Sequence, residues 1–352
     1  MIEGRINLYS DTQTRPSLAM REAMLAAPVG DEQKGMDPSV NQLCALVTDL
    51  LGKEAAIFLP SGTMCNEIAI LVHCERGDGI YCDQKAHIYI SEAGGPAALA
   101  GASVHPLTGE RGVFTGAELN EAILARSRYT PRARLVSIEQ TANFSGGTVW
   151  PLATIRGVAE TARANKLALH MDGARLMNAV VASGVPAREF CADLDSVWVD
   201  LTKGLGCPFG GVLAGSADFI DRAWGWKHRL GGAMRQAGMM AAAGLYAFEH
   251  HVERLADDHA NARRLAQTLS AHDHLALNVD HVETNIVIFD LVDTALTAAA
   301  VAARLEEMGL NVSTVGRQRL RAVTHMDVSA AQIDEAGEII LAVVSEMIDA
   351  QF

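Results

Sequence analysis

Lys203 closes an apolar run, Ser196-Val-Trp-Val-Asp-Leu-Thr-Lys203, and a lysine in that setting could do chemistry. The run reads as a buried strand from Ser196 to Leu201. A Gly- and Pro-punctuated turn follows, and then a second short strand, Gly211 to Ala214. Burial disfavours an ammonium and lowers its pKa. The amine that results is a nucleophile of the kind that forms Schiff bases with carbonyls and with pyridoxal phosphate (PLP). A lysine at a strand end also snorkels readily into solvent, so the position alone leaves both readings open.

Three other features bear on the choice. Asp172 ends the apolar stretch Ala168-Leu-His-Met-Asp172, and His87 follows the strand candidate Gly79–Cys82. Ser61, Gly62 and Thr63 stand between a strand, Ala55–Leu59, and a helix running to about Cys74. Such a junction offers free backbone N–H groups and a positive dipole end to a phosphate, although the same residues serve as an ordinary N-cap. A PLP enzyme needs a lysine to carry the cofactor, an acid for the pyridine nitrogen, a phosphate cradle and a flat face against the ring. Lys203, Asp172, Ser61-Gly62-Thr63 and His87 supply one of each. An aspartate ionised beside the ring nitrogen keeps the ring protonated and strengthens it as an electron sink.

The elements that must position these residues alternate strand and helix. Strands are predicted at Ala55–Leu59, Gly79–Cys82, Leu135–Ile138, Leu167–Met171 and Ser196–Leu201, with a capping-box helix start at Thr115-Gly-Ala-Glu118. That order predicts an α/β fold with a mostly parallel sheet and helices on both faces. Ligands in such sheets bind beyond the carboxyl ends of the strands. There the sequence puts Asp83 to His87, Glu139 to Asn143, Asp172 to Arg175 and Thr202-Lys203. Farther on, helix from Ala242 to Leu255 and from Asp257 to Ala271, strands Asn285–Leu291 and Arg319–Thr324, and helices Ala298–Met308 and Ile333–Ile348 predict a small α+β domain. The expected division is 1–250, an N-terminal arm with the large domain, and 251–352.

Composition narrows the function. The chain has 352 residues, 49% of them hydrophobic and 20% charged, which describes a globular protein with an ample core. A formal net charge of −13 argues against nucleic acid or an anionic membrane surface as partner. Six scattered cysteines form no CxxC pair, so reduced thiols, a cytoplasmic location and no metal site are expected. No basic-then-apolar leader opens the sequence and no apolar run is long enough to span a bilayer.

Six segments together resemble the L-threonine aldolase family: Ser10-Asp-Thr-Gln-Thr-Arg-Pro16, Pro60-Ser-Gly-Thr-Met64, Ala86-His87, His170-Met-Asp-Gly-Ala-Arg175, Thr202-Lys-Gly-Leu-Gly206 and Leu230-Gly-Gly-Ala-Met-Arg-Gln-Ala-Gly238. Those are fold-type-I PLP enzymes of aspartate aminotransferase architecture in the β-eliminating lyase group. The resemblance covers nearly the whole chain. It implies a carbon–carbon lyase that cleaves the Cα–Cβ bond of an L-β-hydroxy-α-amino acid to glycine and an aldehyde. It further implies that Lys203 holds PLP, Asp172 pairs with the ring nitrogen, Arg175 contacts the ring 3-oxygen, and His87 stacks on the ring. Ser61, Gly62 and Thr63 sit at the phosphate, while Ser10 and Arg321 clamp the substrate carboxylate. Arg229 and Arg235 reach the phosphate from a neighbouring subunit, which makes a homo-oligomer, dimer or tetramer, part of the expectation.

Two segments depart from the family pattern. Glu139-Gln-Thr-Ala142-Asn143 carries Ala142 where the family usually has a histidine at the substrate β-hydroxyl. In Gly30-Asp-Glu-Gln-Lys-Gly-Met-Asp-Pro38, Lys34 and Met36 replace a tyrosine and an acid. Both changes point to bulkier, phenylserine-like β-substituents, with His87 or a bound water as base. The same site could instead run β-elimination, dehydration or racemisation, since all of these use one electron sink. A PLP-binding protein without catalysis is a further alternative.

Overall fold

Short apolar runs closed by glycine or an acid become strands, and polar caps open the helices between them. A computed structural model describes residues 5–350. Its strands are β1 (Ile6–Asn7), β2 (Ala55–Leu59), β3 (Asp78–Asp83), β4 (Ser103–Leu107), β5 (Arg132–Glu139), β6 (Ala168–Gly173), β7 (Ser196–Asp200), β8 (Gly211–Gly215), β9 (Leu275–Ala276), β10 (Ile286–Leu291), β11 (Leu310–Asn311), β12 (Ser313–Thr314) and β13 (Arg319–Val323). The large sheet has seven strands in the order β2-β8-β7-β6-β5-β3-β4. Only β8 runs against the others. The architecture is α/β with a mostly parallel central sheet.

Strand β4 was not evident in the sequence. It holds Pro106 and His105 and buries only Leu107, and it pairs only with β3 at the sheet edge. An edge is where a strand tolerates proline, because one side of its ladder needs no donor. The helices expected at Ala242–Leu255 and Asp257–Ala271 are both present with shifted bounds, Gly238–His250 and Leu255–Ser270. The helix that opens beside Ser61 runs Gly62–His73, with the Ser61 hydroxyl accepting from Met64 N–H at 3.2 Å.

A four-stranded antiparallel sheet, β12-β13-β10-β9, forms a second core with Leu265, Leu269, Val301, Leu305, Ile340 and Val344. Ile6 and Leu8 belong to this core, because β1 pairs in parallel with β11. The N-terminal segment therefore crosses to the small sheet before Asp11 arrives at the large one.

Strands β6 and β7 meet too closely for any side chain at Gly173. A Cβ there would lie 1.9 Å from the Trp198 carbonyl oxygen. Gly173→Ala is expected to lower stability by about 1–3 kcal/mol, since neither strand can yield without disturbing its ladder. A lowered midpoint in urea unfolding checks this, and an unchanged midpoint would contradict it.

Candidate active site

Three acids stand at the carboxyl ends of three neighbouring strands: Glu139 last on β5, Asp172 next to last on β6 and Asp200 last on β7. Register places Glu139 opposite Asp172 and Asp172 opposite Trp198. Above them opens a cavity of about 420 Å³ whose wall includes Ser10, Ser61, Gly62, Thr63, His87, Asp172, Arg175, Lys203 and Arg321. Those are nine of the predicted site residues, gathered from segments more than 300 positions apart in the chain.

Lys203 follows the end of β7 with φ at +53°, in the left-handed region that costs a non-glycine residue roughly 1–2 kcal/mol. Thr14 Oγ1 donates to its carbonyl at 2.7 Å and helps to hold that backbone. The lysine side chain keeps 17% of its surface exposed, and its Nζ pairs with Asp200. The lysine that is fully buried is Lys227, which pairs with Glu32 and donates to Phe58 O at 2.7 Å. The expected desolvation thus falls on Lys227, where a carboxylate and a carbonyl offset it.

Asp172 is buried and held from two sides. Asn66 Nδ2 donates to its Oδ2 at 2.8 Å, and Ala174 N–H donates to Oδ1 at 3.0 Å. Burial raises its pKa, against the opposing pull of His87, Asn66 and Lys203. The same Asn66 Nδ2 also donates to Glu92 Oε1 at 2.8 Å, and its Oδ1 accepts from Trp198 Nε1–H at 2.7 Å. Behind it, His170 Nε2 lies 3.2 Å from Asn66 Oδ1, while Ser196 Oγ lies 2.8 Å from both His170 Nδ1 and His73 Nε2. Burial pushes both histidines down to about 3, so they are neutral. One serine hydrogen then fixes the relay: His73 donates to Ser196, Ser196 to His170, and His170 to Asn66.

His87 lines the cavity with its ring, and its Nδ1 lies 2.8 Å from Glu92 Oε1. Burial opposes its charged form, but Glu92, Asp172 and Glu139 outweigh that and raise its pKa. Glu139 accepts from His87 N–H and Asn143 N–H, each at 2.9 Å. Polar atoms of His87, Glu92 and Asp172 lie within 4.8 Å of one another.

The two predicted arginines of the wall differ in their partners. Arg175 gives Nε and Nη2 to Asp11 at 2.8 and 2.6 Å, which leaves Nη1 as its uncommitted nitrogen. Arg321 is buried, donating from Nε to Ser313 Oγ at 3.1 Å and from Nη1 to Asn143 Oδ1 at 2.8 Å, with its guanidinium 5.4 Å from the Phe144 ring centre. Both partners are neutral, and among the described residues Arg321 forms no ion pair. Burial, and then the charge of Arg175, lower its pKa to about 10.

Residues 7–292 match the beta-eliminating lyase family model. The chain belongs to the beta-eliminating lyase family. It is 41% identical over 331 residues to the low specificity L-threonine aldolase of Escherichia coli (strain K12), covering 94% of this chain and 96% of that protein. Its fold matches the threonine aldolase of Leishmania major at TM-score 0.82 and 20% identity, covering 96% and 99% of the two chains. A high-resolution structure of SPT with PLP matches at TM-score 0.71 and 18% identity, covering 96% and 87%.

Arg229 and Arg235 lie away from this cavity. Arg229 stacks over Trp226 at 4.6 Å, and the exposed Arg235 pairs with Asp31 at 3.2 Å. Lys34 and Met36 are exposed as well. Ala142 is buried in a recess beside the cavity, together with Gly112, Ser145 and Phe144. Asn66, Asp11, Glu92 and Asp200 were not singled out from the sequence. A polar Asn66-Glu67 pair inside an apolar helix, and an acid inside Ser196-Val-Trp-Val-Asp200, are the signals that could have found two of them.

Asp11 carries a checkable pH dependence. Burial alone would raise its pKa, but the Arg175 charge and hydrogen bonds, with Lys203 and Asn285, hold it well below the usual 3.8. A depressed carboxyl contributes stability that is full above its unfolded value and is lost as pH falls toward the folded one. Asp11→Asn is expected to cost about 3 kcal/mol or more at neutral pH, where it leaves Arg175 buried and unpaired. The difference from the wild type should shrink steadily below pH 3.8. Urea unfolding at a series of pH values measures it, and a gap independent of pH would contradict the ion-pair account.

Proposed function

We propose that this chain is a PLP-dependent aldolase, which cleaves the Cα–Cβ bond of L-β-hydroxy-α-amino acids to glycine and an aldehyde. The observation that carries the reading is a single cavity with an amine, Lys203, on one wall and a buried guanidinium free of ion pairs, Arg321, on another. An amine suits covalent capture of a cofactor aldehyde, and an unpaired guanidinium suits an amino-acid carboxylate. The 41% identity to an enzyme named low specificity L-threonine aldolase supports the same conclusion.

The residues present fit PLP. At the start of helix Gly62–His73 a Cβ on Gly62 would meet Trp198 at 2.2 Å, so the backbone can lie there only as glycine. The Gly62 and Thr63 amides are first-turn donors with no intrahelical acceptor, as a phosphate requires. Asp172, whose carboxyl burial pushes upward, is the acid that a protonated ring nitrogen would hold ionised. His87 offers an imidazole face, and the free Nη1 of Arg175 offers a donor to the ring 3-oxygen.

When bound, PLP supplies a carbonyl for an amine and a ring that accepts the electron pair of the breaking bond. Lys203 is the residue that would hold the cofactor, through the Nζ that Asp200 keeps at the cavity wall. Arg321 and Ser10 hold the substrate carboxylate, which fixes the orientation of the Cα substituents and so the bond that breaks. His87, with Nδ1 engaged by Glu92, has Nε2 as its basic atom. Nε2 takes the β-hydroxyl proton as Cα–Cβ cleavage turns that carbon into an aldehyde. The same proton, or one from water, then completes glycine at Cα.

We infer a preference for bulkier β-substituents. Phe144 lines the cavity beside Asn143 and Arg321, which supports an aromatic wall for the substrate, and small Ala142 adjoins it. A homo-oligomer is supported by exposed apolar side chains: Leu18, Leu25, Val29, Met36 and Met239 are all exposed, and helix Leu18–Leu25 packs beside helix Gly238–His250, which carries Met239. In such an oligomer Arg229 and Arg235 would serve a neighbouring subunit's phosphate, and Lys34 and Met36 a neighbouring substrate. The unpaired state of all six cysteines agrees with a cytoplasmic location. Two folding units are proposed to divide near the break between His250 and Leu255, the expected 1–250 and 251–352, except that Ile6 and Leu8 pack into the second unit's core.

Glycine and aldehyde should appear in equal amounts from L-threonine, L-allo-threonine and L-phenylserine, with the highest kcat/KM for phenylserine. Ammonia and a 2-oxo acid as products would move the reaction to elimination, and a preference for threonine would remove the size argument. Lys203→Ala is expected to abolish covalent retention of PLP after borohydride treatment, as read by peptide mass spectrometry. Arg321→Ala should lower kcat/KM by about 30-fold or more, mainly through KM, as removal of one partner of a buried charge pair does. An unchanged KM would dismiss the carboxylate clamp.

A further inference from the structure

Glu67 follows Asn66 in helix Gly62–His73 and is buried with neither carboxyl oxygen hydrogen-bonded to a donor in the structure. The loop backbone closes over it: a Cβ on Gly95 would lie 1.7 Å from its Oε1. Its neighbour is the carboxyl of Glu92, within hydrogen-bonding reach, and Glu92 Oε2 is likewise buried without a donor. Glu92 Oε1 is fully used, by Asn66 Nδ2 and His87 Nδ1. Two carboxylates cannot both remain charged in contact in a buried place, whereas one proton between them satisfies an oxygen on each side.

We propose that Glu67 is a positioning residue for His87: it is the protonated member of a Glu67–Glu92 acid pair, donating to Glu92 Oε2 and so keeping Oε1 the charged acceptor for His87 Nδ1. The imidazole is thereby held in one tautomer, with Nε2 as its basic atom. The surrounding charges agree. On its own segment Glu92 faces His87. From β6 comes Asp172, tied to Glu92 through Asn66, and from β5 comes Glu139, which accepts from the His87 amide. Lys203, which lines the same cavity as His87, pairs with Asp200 instead. Burial, followed by the Glu92 charge, raises the Glu67 pKa to about 8. The proton therefore remains on the pair at neutral pH and leaves on the alkaline side.

A raised carboxyl contributes stability that is full below the unfolded value of 4.5 and is lost as pH rises through the folded value near 8. Glu67→Gln keeps a donor for Glu92 and removes the titration. Infrared spectra of the PLP-free protein at pH 7 should show a protonated-carboxyl band that Glu67→Gln lacks and that fades in the wild type as pH passes 8. On going from pH 6 to pH 9, the Tm of the PLP-free wild type should fall by about 2 °C or more relative to Glu67→Gln. Glu92→Gln removes the neighbouring charge and should move the loss of the band to lower pH, which keeps the test available if Glu67→Gln does not fold.

With PLP bound, Glu67→Gln should retain kcat/KM at pH 7 and lose the alkaline break near pH 8. Glu67→Leu, which leaves Glu92 Oε2 without a donor, should fall about tenfold at pH 7. A wild type without the band, or a Glu67→Gln profile superimposable on the wild type, would overturn the proposal. The inference rests on His87 acting as base in the proposed reaction. The infrared and Tm measurements need neither PLP nor turnover, so failure of the pair and failure of the aldolase reading separate cleanly.

Discussion

Everything at this site answers one constraint: carboxylates buried at the carboxyl ends of parallel strands must each find a donor or a cation. Asp172 meets it through Asn66 and the Ala174 amide, Glu139 through two backbone amides, and Asp200 through Lys203 and Thr202. The Asn66 carboxamide is the hinge of this arrangement. Its oxygen receives Trp198 and His170, so its nitrogen must point at Asp172 and Glu92, and no flipped orientation satisfies the same four partners. The neutral relay through His170, Ser196 and His73 extends the fixing of that amide along helix Gly62–His73 to the start of β7.

The same logic binds the two sheets together. Asp11 arrives from the N-terminal segment, takes two hydrogen bonds from Arg175 after β6, and a third at 3.0 Å from Asn285 just before β10. Thr14 then reaches the Lys203 carbonyl, so one short segment steadies the strained lysine, the large-sheet arginine and the small sheet. Arg321 on β13 enters the cavity from the small sheet and contacts Asn143 from the large one. A shift of one sheet against the other would therefore alter the distance between carboxylate recognition and covalent chemistry. Position is the main thing such a two-part site supplies to a reaction.

Much of this was legible in the chain. Lys203, Asp172 and His87 stand at the ends of apolar runs, and period and breakers gave those runs to within a few residues. Pro60-Ser61-Gly62-Thr63 showed a strand-to-helix junction, and the structure caps it with Ser61. Less visible were residues whose meaning comes only from a partner distant in sequence. Asn66 looks like a stray polar residue until β6 and β7 set Asp172 and Trp198 beside it. Strand β4 was hidden because an edge relaxes the hydrophobic pattern that marks a strand.

The sequence by itself determined the alternation of strand and helix, and with it a parallel sheet whose carboxyl ends must carry the ligands. It also determined the residue types available there: an amine, acids, an imidazole and arginines. These are local matters of period, capping and side-chain chemistry. Tertiary structure alone decided who pairs with whom: Lys227 rather than Lys203 fully buried, Arg175 committed to Asp11, Arg321 left without an anion, and Glu67 set against Glu92. The physical reason is that the energy of a charge depends on its burial and its partners. Both are set by segments that meet only when the sheet closes.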